Sequence, residues 1–115
     1  MNDLVHKKCI PCETSQPPMK REDAQPYLDM MPEWKLANEG NSIERFYTFK
    51  DFAHSMKFVD AVADIAEEQG HHPDIHISYD KVRIELSTHF IHGLSENDFI
   101  VAAKIEALHS RMSKV

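Results

Sequence analysis

Nowhere in these 115 residues does an apolar run approach the roughly 20 residues that a membrane span requires, and the N-terminus lacks the apolar core of a signal peptide. No membrane association is expected, and the chain should work in the cytoplasm. Basic residues are also short: 13 Lys and Arg stand against 19 Asp and Glu, a formal charge of −6, with no basic stripe. A phosphate backbone would be repelled by most of this surface, so direct nucleic-acid binding is not expected. Cysteine is limited to Cys9 and Cys12, a CxxC pair with no second pair to complete four zinc ligands. These read as reduced, structurally minor thiols rather than a metal or redox site.

What is present fits one compact domain, since 42% hydrophobic residues supply a single modest core for a chain of this length. Residues 1–18 carry three prolines and no apolar period, and read as a loosely held, flexible arm; the folded domain is expected over 19–115. Within it, Lys20 to Met31 suggests a short helix in which Pro26 must sit early or make a break. Trp34 and Leu36 mark a first strand, Asn38 to Asn41 a turn, and Ile43, Arg45, Tyr47 and Phe49 the alternating positions of a second strand.

From Asp51 to Gln69 the apolar residues Phe52, Met56, Val59, Val62 or Ala63, and Ala66 recur at helical spacing, with Phe58 and Ile65 widening the stripe. Thr48 and Asp51 have capping-box spacing at its start, and Gly70 is placed to end it in a left-handed conformation. Ile75, Ile77 and Tyr79, then Val82, Ile84 and Leu86, read as two strands joined by a tight Asp80-Lys81 turn. A last helix starts at Ser95, with Asp98 reaching back as a capping-box partner and Leu94 stapled on Phe99. This order predicts an α+β fold: a four-stranded antiparallel sheet with three helices packed on one face.

Five of the eight histidines, His71, His72, His76, His89 and His92, fall between positions 71 and 92. With an Asp80-Lys81 turn, the hairpin register sets His72 opposite His89 at the open end, with His71 adjacent. Two close imidazoles rarely carry positive charge together, so one protonated and one neutral ring make an acid–base pair near neutral pH. Glu67 and Glu68 in the last turn of the central helix favour a nearby cation, which His71 or His72 can supply. Two other readings stand beside this one: a histidine-rich surface without a role, and a metal site, against which no HExxH-type motif is present. Asp98 is read as a helix cap before a catalytic group, and Trp34 as core before a stacking platform.

The pattern Glu67, three residues, His71-His72-Pro73, five residues, Tyr79, nine residues, His89, eight residues, Asp98 closely resembles the signature of the pterin-4a-carbinolamine dehydratases. Tyr79-Asp80-Lys81-Val82, Ser87-Thr88-His89, Gly93-Leu94-Ser95 and Phe49-Lys50-Asp51-Phe52 extend the resemblance over roughly residues 20–110. Two positions depart from it: Gly70 stands where Asp is frequent, and Ile75 where an aromatic is common. The resemblance implies a hydro-lyase that removes water from 4a-hydroxytetrahydropterin, left by an aromatic amino acid hydroxylase, to give the quinonoid dihydropterin of tetrahydrobiopterin recycling. It implies His71, His72 and His89 as catalytic groups, a pterin pocket lined by these with Pro73, Thr88, Phe90 and Ile91, and supporting roles for Glu67 and Asp98. No electrons move and no phosphate is handled, so it implies neither metal nor cofactor. It also implies a homodimer or homotetramer. A dimerisation or transcriptional-coactivator module, as in some animal relatives, is the alternative function.

Overall fold

The computed structural model describes residues 2–9 and 17–113 of the chain. Helix α1 (Asn2–His6) is followed by α2 (Arg21–Met30), β1 (Lys35–Ala37), β2 (Ser42–Thr48), α3 (Phe52–Gln69), β3 (Asp74–Ser78), β4 (Lys81–Leu86) and α4 (Glu96–Ser113). Short 3₁₀ turns lie at Asn38–Gly40 and His89–Ile91. The four strands form one antiparallel sheet in the order β1-β2-β4-β3. Alternation decides which sheet face is covered. Ile43, Tyr47, Val82, Ile84 and Leu86 are buried on one side against Phe58 and Val62 of α3 and Phe99, Ile100 and Ala103 of α4. Phe46, of opposite parity on β2, stays 63% exposed. The predicted α+β architecture, with helices on one sheet face, is therefore the observed one.

Several details differ from the sequence reading. Residues 2–9, expected as part of a loose arm, pack on the domain: Leu4 is buried, Lys104 Nζ donates to the Val5 carbonyl (2.6 Å), and Lys7 pairs with Glu96 (2.9 Å). Leu4, with Val5 and Cys9 half-buried after it, is too short an apolar anchor to show a periodicity. Cys9 lies half-buried among these contacts, whereas Cys12 falls outside the described residues. Helix α2 runs through Pro26, its sixth residue, which is exposed, so the carbonyl left without its N–H partner can meet water.

Helix α3 is capped by Asp51 itself, whose carboxylate accepts from the His54 N–H (2.9 Å), rather than by a Thr48–Asp51 box. Its inward stripe is Ser55, Phe58, Val62 and Ala66, while Phe52 is half exposed.

The β3–β4 register is the largest correction. Ile75 pairs with Ile84 and Ile77 with Val82, so the turn is Tyr79-Asp80, with Tyr79 at φ 56°, and His72 does not lie opposite His89 in a ladder. The cause is β4's other neighbour. Lys81 pairs with Thr48 of β2, and the Phe49 N–H bonds the Asp80 carbonyl (2.7 Å), so Lys81 belongs to the strand and the hairpin must close before it. The slip is two residues, which preserves parity and leaves every buried side chain on the predicted face.

Candidate active site

The site is built where the end of α3 meets the start of α4. Gly70 takes the left-handed conformation (φ 65°, ψ 29°) that ends α3, and the His71 N–H closes on the Ala66 carbonyl (3.2 Å). This turns the His71 ring inward. Its Nε2 lies 2.6 Å from Asp98 Oδ1, with His71 nearly buried and Asp98 fully so.

The other carboxylate oxygen, Oδ2, accepts from the Thr88 hydroxyl (2.9 Å) and the Ser95 N–H (3.0 Å), and the Thr88 and Ser95 hydroxyls are 2.7 Å apart. A carboxylate accepts rather than donates, so the tautomer that suits this contact carries the His71 proton on Nε2 and leaves Nδ1 as the ring's second nitrogen. The capping-box reading of Asp98 is half the truth: one oxygen serves the helix end and the other orients the histidine.

Thr88 opens the loop that carries His89. A bridge between Thr88 and Gly93 (Thr88 N–H to Gly93 O, 2.8 Å) pinches off the 3₁₀ turn His89–Ile91, and His92 closes it at φ 56°. Gly93 is required there, because a Cβ would meet Pro18 Cβ at 2.5 Å. His89 is exposed at the tip and lines a polar cleft of about 390 Å³ with Asn38, Asn41, Asp74, Glu85, Ser87, His92 and Gly93. Within it, the Glu85 carboxyl is held below its usual range, chiefly by the Ser42 hydroxyl (2.6 Å) and then by the Arg83 guanidinium.

The histidines of the sequence pattern are thus distributed rather than stacked. His71 is linked through Asp98 to Thr88, the residue before His89. His72 points elsewhere: its Nε2 is 2.5 Å from Glu67 Oε2, both side chains being largely exposed. It is the partner that Glu67, at the end of α3, was expected to need. Pro73 is half-buried, Ile91 buried and Phe90 58% exposed, while Thr88 turns its hydroxyl inward to Asp98.

Sequence reasoning missed Ser95 as a partner of Thr88, and Asp74, Glu85, Ser87, His92, Asn38 and Asn41 as cleft residues. Glu85 and Ser87 share the strand parity of His89, which is a signal the sequence carries; the two asparagines come from a turn distant in sequence and carry none. No three His, Cys, Asp or Glu side chains converge as a possible metal ligand set among the described residues.

A family model for pterin 4 alpha carbinolamine dehydratases matches residues 17–108, which hold every residue of this site. The chain belongs to that family. A relative from Alkaliphilus metalliredigens, named for this dehydratase, is 41% identical over 96% of the chain and 99% of its own length. Another so named, from Nitrosomonas eutropha, is 45% identical over 92% and 93% respectively. Among family-like structures, one described as a transcriptional coactivator/pterin dehydratase from Brucella melitensis superposes with a TM-score of 0.75 at 28% identity. It covers 79% of this chain and 97% of that one. A pterin dehydratase-like protein described as a RuBisCO assembly factor in the α-carboxysome gives a TM-score of 0.58 at 27% identity, covering 66% and 88%. No helix among the described residues is long and apolar enough to cross a membrane.

Proposed function

We propose that this protein dehydrates 4a-hydroxytetrahydropterin to the quinonoid dihydropterin, with His71 and His89 sharing the two proton transfers. The observation that carries the reading is the buried Asp98–His71 pair, linked through Thr88 to the loop that projects His89 into a cleft. In the reaction a base takes the proton from N5, the freed electron pair forms the N5=C4a bond, and the C4a–O bond breaks as an acid protonates the departing hydroxyl. The products are water and the quinonoid ring. Each assisted proton transfer is typically worth 10²- to 10⁴-fold, and the chemistry asks for groups that change protonation in a fixed orientation.

Asp98 supplies such an orientation to His71 by fixing its tautomer. His72, paired with Glu67 at the rim, contributes to binding the substrate and to the local charge rather than to a proton transfer. Pro73, Thr88, Phe90 and Ile91 do not line the His89 cleft themselves; they flank Asp74 and His89 along the chain, and no metal or cofactor takes part. The substrate is the product of an aromatic amino acid hydroxylase, so this activity stands beside one in tetrahydrobiopterin recycling, in the cytoplasm. The outer edges of β1 and β3, unpaired in the sheet, support assembly into a homodimer or homotetramer.

The test follows the decay of enzymatically generated 4a-hydroxytetrahydropterin by ultraviolet absorbance, with and without the protein. Acceleration that disappears in His71→Ala and His89→Ala supports the reading; decay at the spontaneous rate with wild-type protein overturns it. A second reading, a partner-binding module, draws on the coactivator description of the Brucella melitensis structure and on the exposed Phe46, Ile77 and Tyr79. It predicts wild-type protein with no effect on that decay.

A further inference from the structure

We infer that Asp74 is the residue that selects the 2-amino-4-oxo edge of the pterin ring, an assignment that rests on the dehydratase reading above. Asp74 follows Pro73 at the start of β3 and its side chain lines the same cleft as His89. Its carboxylate makes no hydrogen bond or ion pair with any described residue. The neighbouring carboxylate is differently placed. Glu85, the ladder partner of Asp74, has Oε2 bonded to the Ser42 hydroxyl (2.6 Å) and Oε1 to Arg83 (2.9 Å), and Arg83 also serves Glu44 (2.9 Å). Arg83 is thus taken up by Glu44 and Glu85, and Asp74 faces a second carboxylate across the ladder. A ligand that brings donors, and no negative charge, relieves that arrangement.

The pterin has such an edge. Its N3–H and exocyclic 2-amino group form two parallel donors, spaced as in a guanidinium, and a carboxylate accepts both through its two oxygens. They lie on the pyrimidine ring, away from the C4a and N5 atoms where water leaves. One cleft therefore offers a histidine for the reacting end and an unengaged carboxylate for the recognition end. A cleft of about 390 Å³ is of the size small-molecule sites use. Glu85 already serves Ser42 and Arg83 with its two oxygens, whereas both oxygens of Asp74 are open to a ligand, which makes Asp74 the selective group.

Fluorescence titration of wild type, Asp74→Asn and Asp74→Ala with pterin and with lumazine, which carries a 2-oxo group in place of the 2-amino group, tests this. Asp74 is exposed, and circular dichroism checks that both variants fold. Wild type should prefer pterin. Both variants should bind pterin roughly 10- to 100-fold more weakly, the loss of a charge-assisted hydrogen-bond pair. Asp74→Asn should hold lumazine at least as well as wild type does, because the new amide can donate to the 2-oxo group. Unchanged pterin affinity in both variants, or equal loss of both ligands, overturns the assignment while leaving a wild-type dehydratase activity intact. Wild-type protein that binds no pterin and does not speed the dehydration removes the dehydratase reading, and this assignment with it.

Discussion

Two carboxylates on the same helix, Asp98 in the first turn of α4 and Glu106 two turns later, are each surrounded by donors, yet they do different things. Glu106 Oε1 accepts from Trp34 Nε1 (2.9 Å), Tyr47 Oη (2.7 Å) and Arg45 Nε, and the Arg45 guanidinium also sits 4.0 Å over the Tyr47 ring. Burial, and after it the Glu106 charge, hold the Tyr47 hydroxyl far above its usual range, so it remains a donor. Every one of these donors belongs to a core strand or to the turn before β1, and all converge on the carboxylate. Asp98 also takes three donors, but one is an imidazole whose second nitrogen meets no hydrogen-bond partner among the described residues. A carboxylate whose donors all come from the core locks that core; one that holds a bifunctional ring passes orientation on to whatever that ring touches.

The largest expected effect separates the two clusters by activity. Asp98→Asn should lower the dehydration rate roughly 10²- to 10⁴-fold, as loss of one assisted proton transfer would. Glu106→Gln should leave turnover per folded molecule unaltered, and equal losses in the two variants, measured by the same absorbance assay, would erase the distinction.

Stability should invert the ranking. Breaking a largely buried ion pair from one side leaves Arg45 without its carboxylate, and Glu106→Ala should cost about 3 kcal/mol in urea unfolding.

A smaller effect is set by pH at the Glu106 end. His109 packs against Tyr47 (4.7 Å), Phe49 (5.8 Å) and Phe58 (5.8 Å). Burial first, and Arg45 second, push its pKa below the ordinary 6.5, against the opposing pull of Glu106. The unfolded chain then binds the proton more readily than the folded one. Stability should be full above about pH 6.5 and fall as the pH drops below it, toward the folded-state value. Thermal unfolding between pH 7 and 5 should show this slope, and His109→Phe should flatten it.

The smallest effect belongs to the exposed Glu67–His72 pair. Glu67→Gln should change stability by less than about 0.5 kcal/mol, as surface pairs do. A larger change would mean that this pair is less solvated than its exposure indicates.

Much of this site was legible because its signals are local. Gly70 ending α3, Asp98 reaching back to Ser95, and the clustered histidines each follow from spacing within a few residues. The register of β3 on β4 was not legible from the hairpin alone, since parity allows both turns and only the pairing of Lys81 with Thr48 chooses between them. The docking of residues 2–9 rests on Leu4 and on contacts to Glu96 and Lys104, about 90 or more positions away, which no local pattern can carry.

The amino-acid order by itself determined the elements from α2 onward, the buried sheet face and the residue types of the proposed site, because periodicity and capping act between neighbours along the chain. Tertiary structure alone decided which histidine meets which carboxylate. His71 and Asp98 are 27 residues apart, and their hydrogen bond exists only because α3 and α4 pack end to start over the same sheet. Long-range pairing of this kind depends on the whole core being assembled, and no window of the sequence contains it.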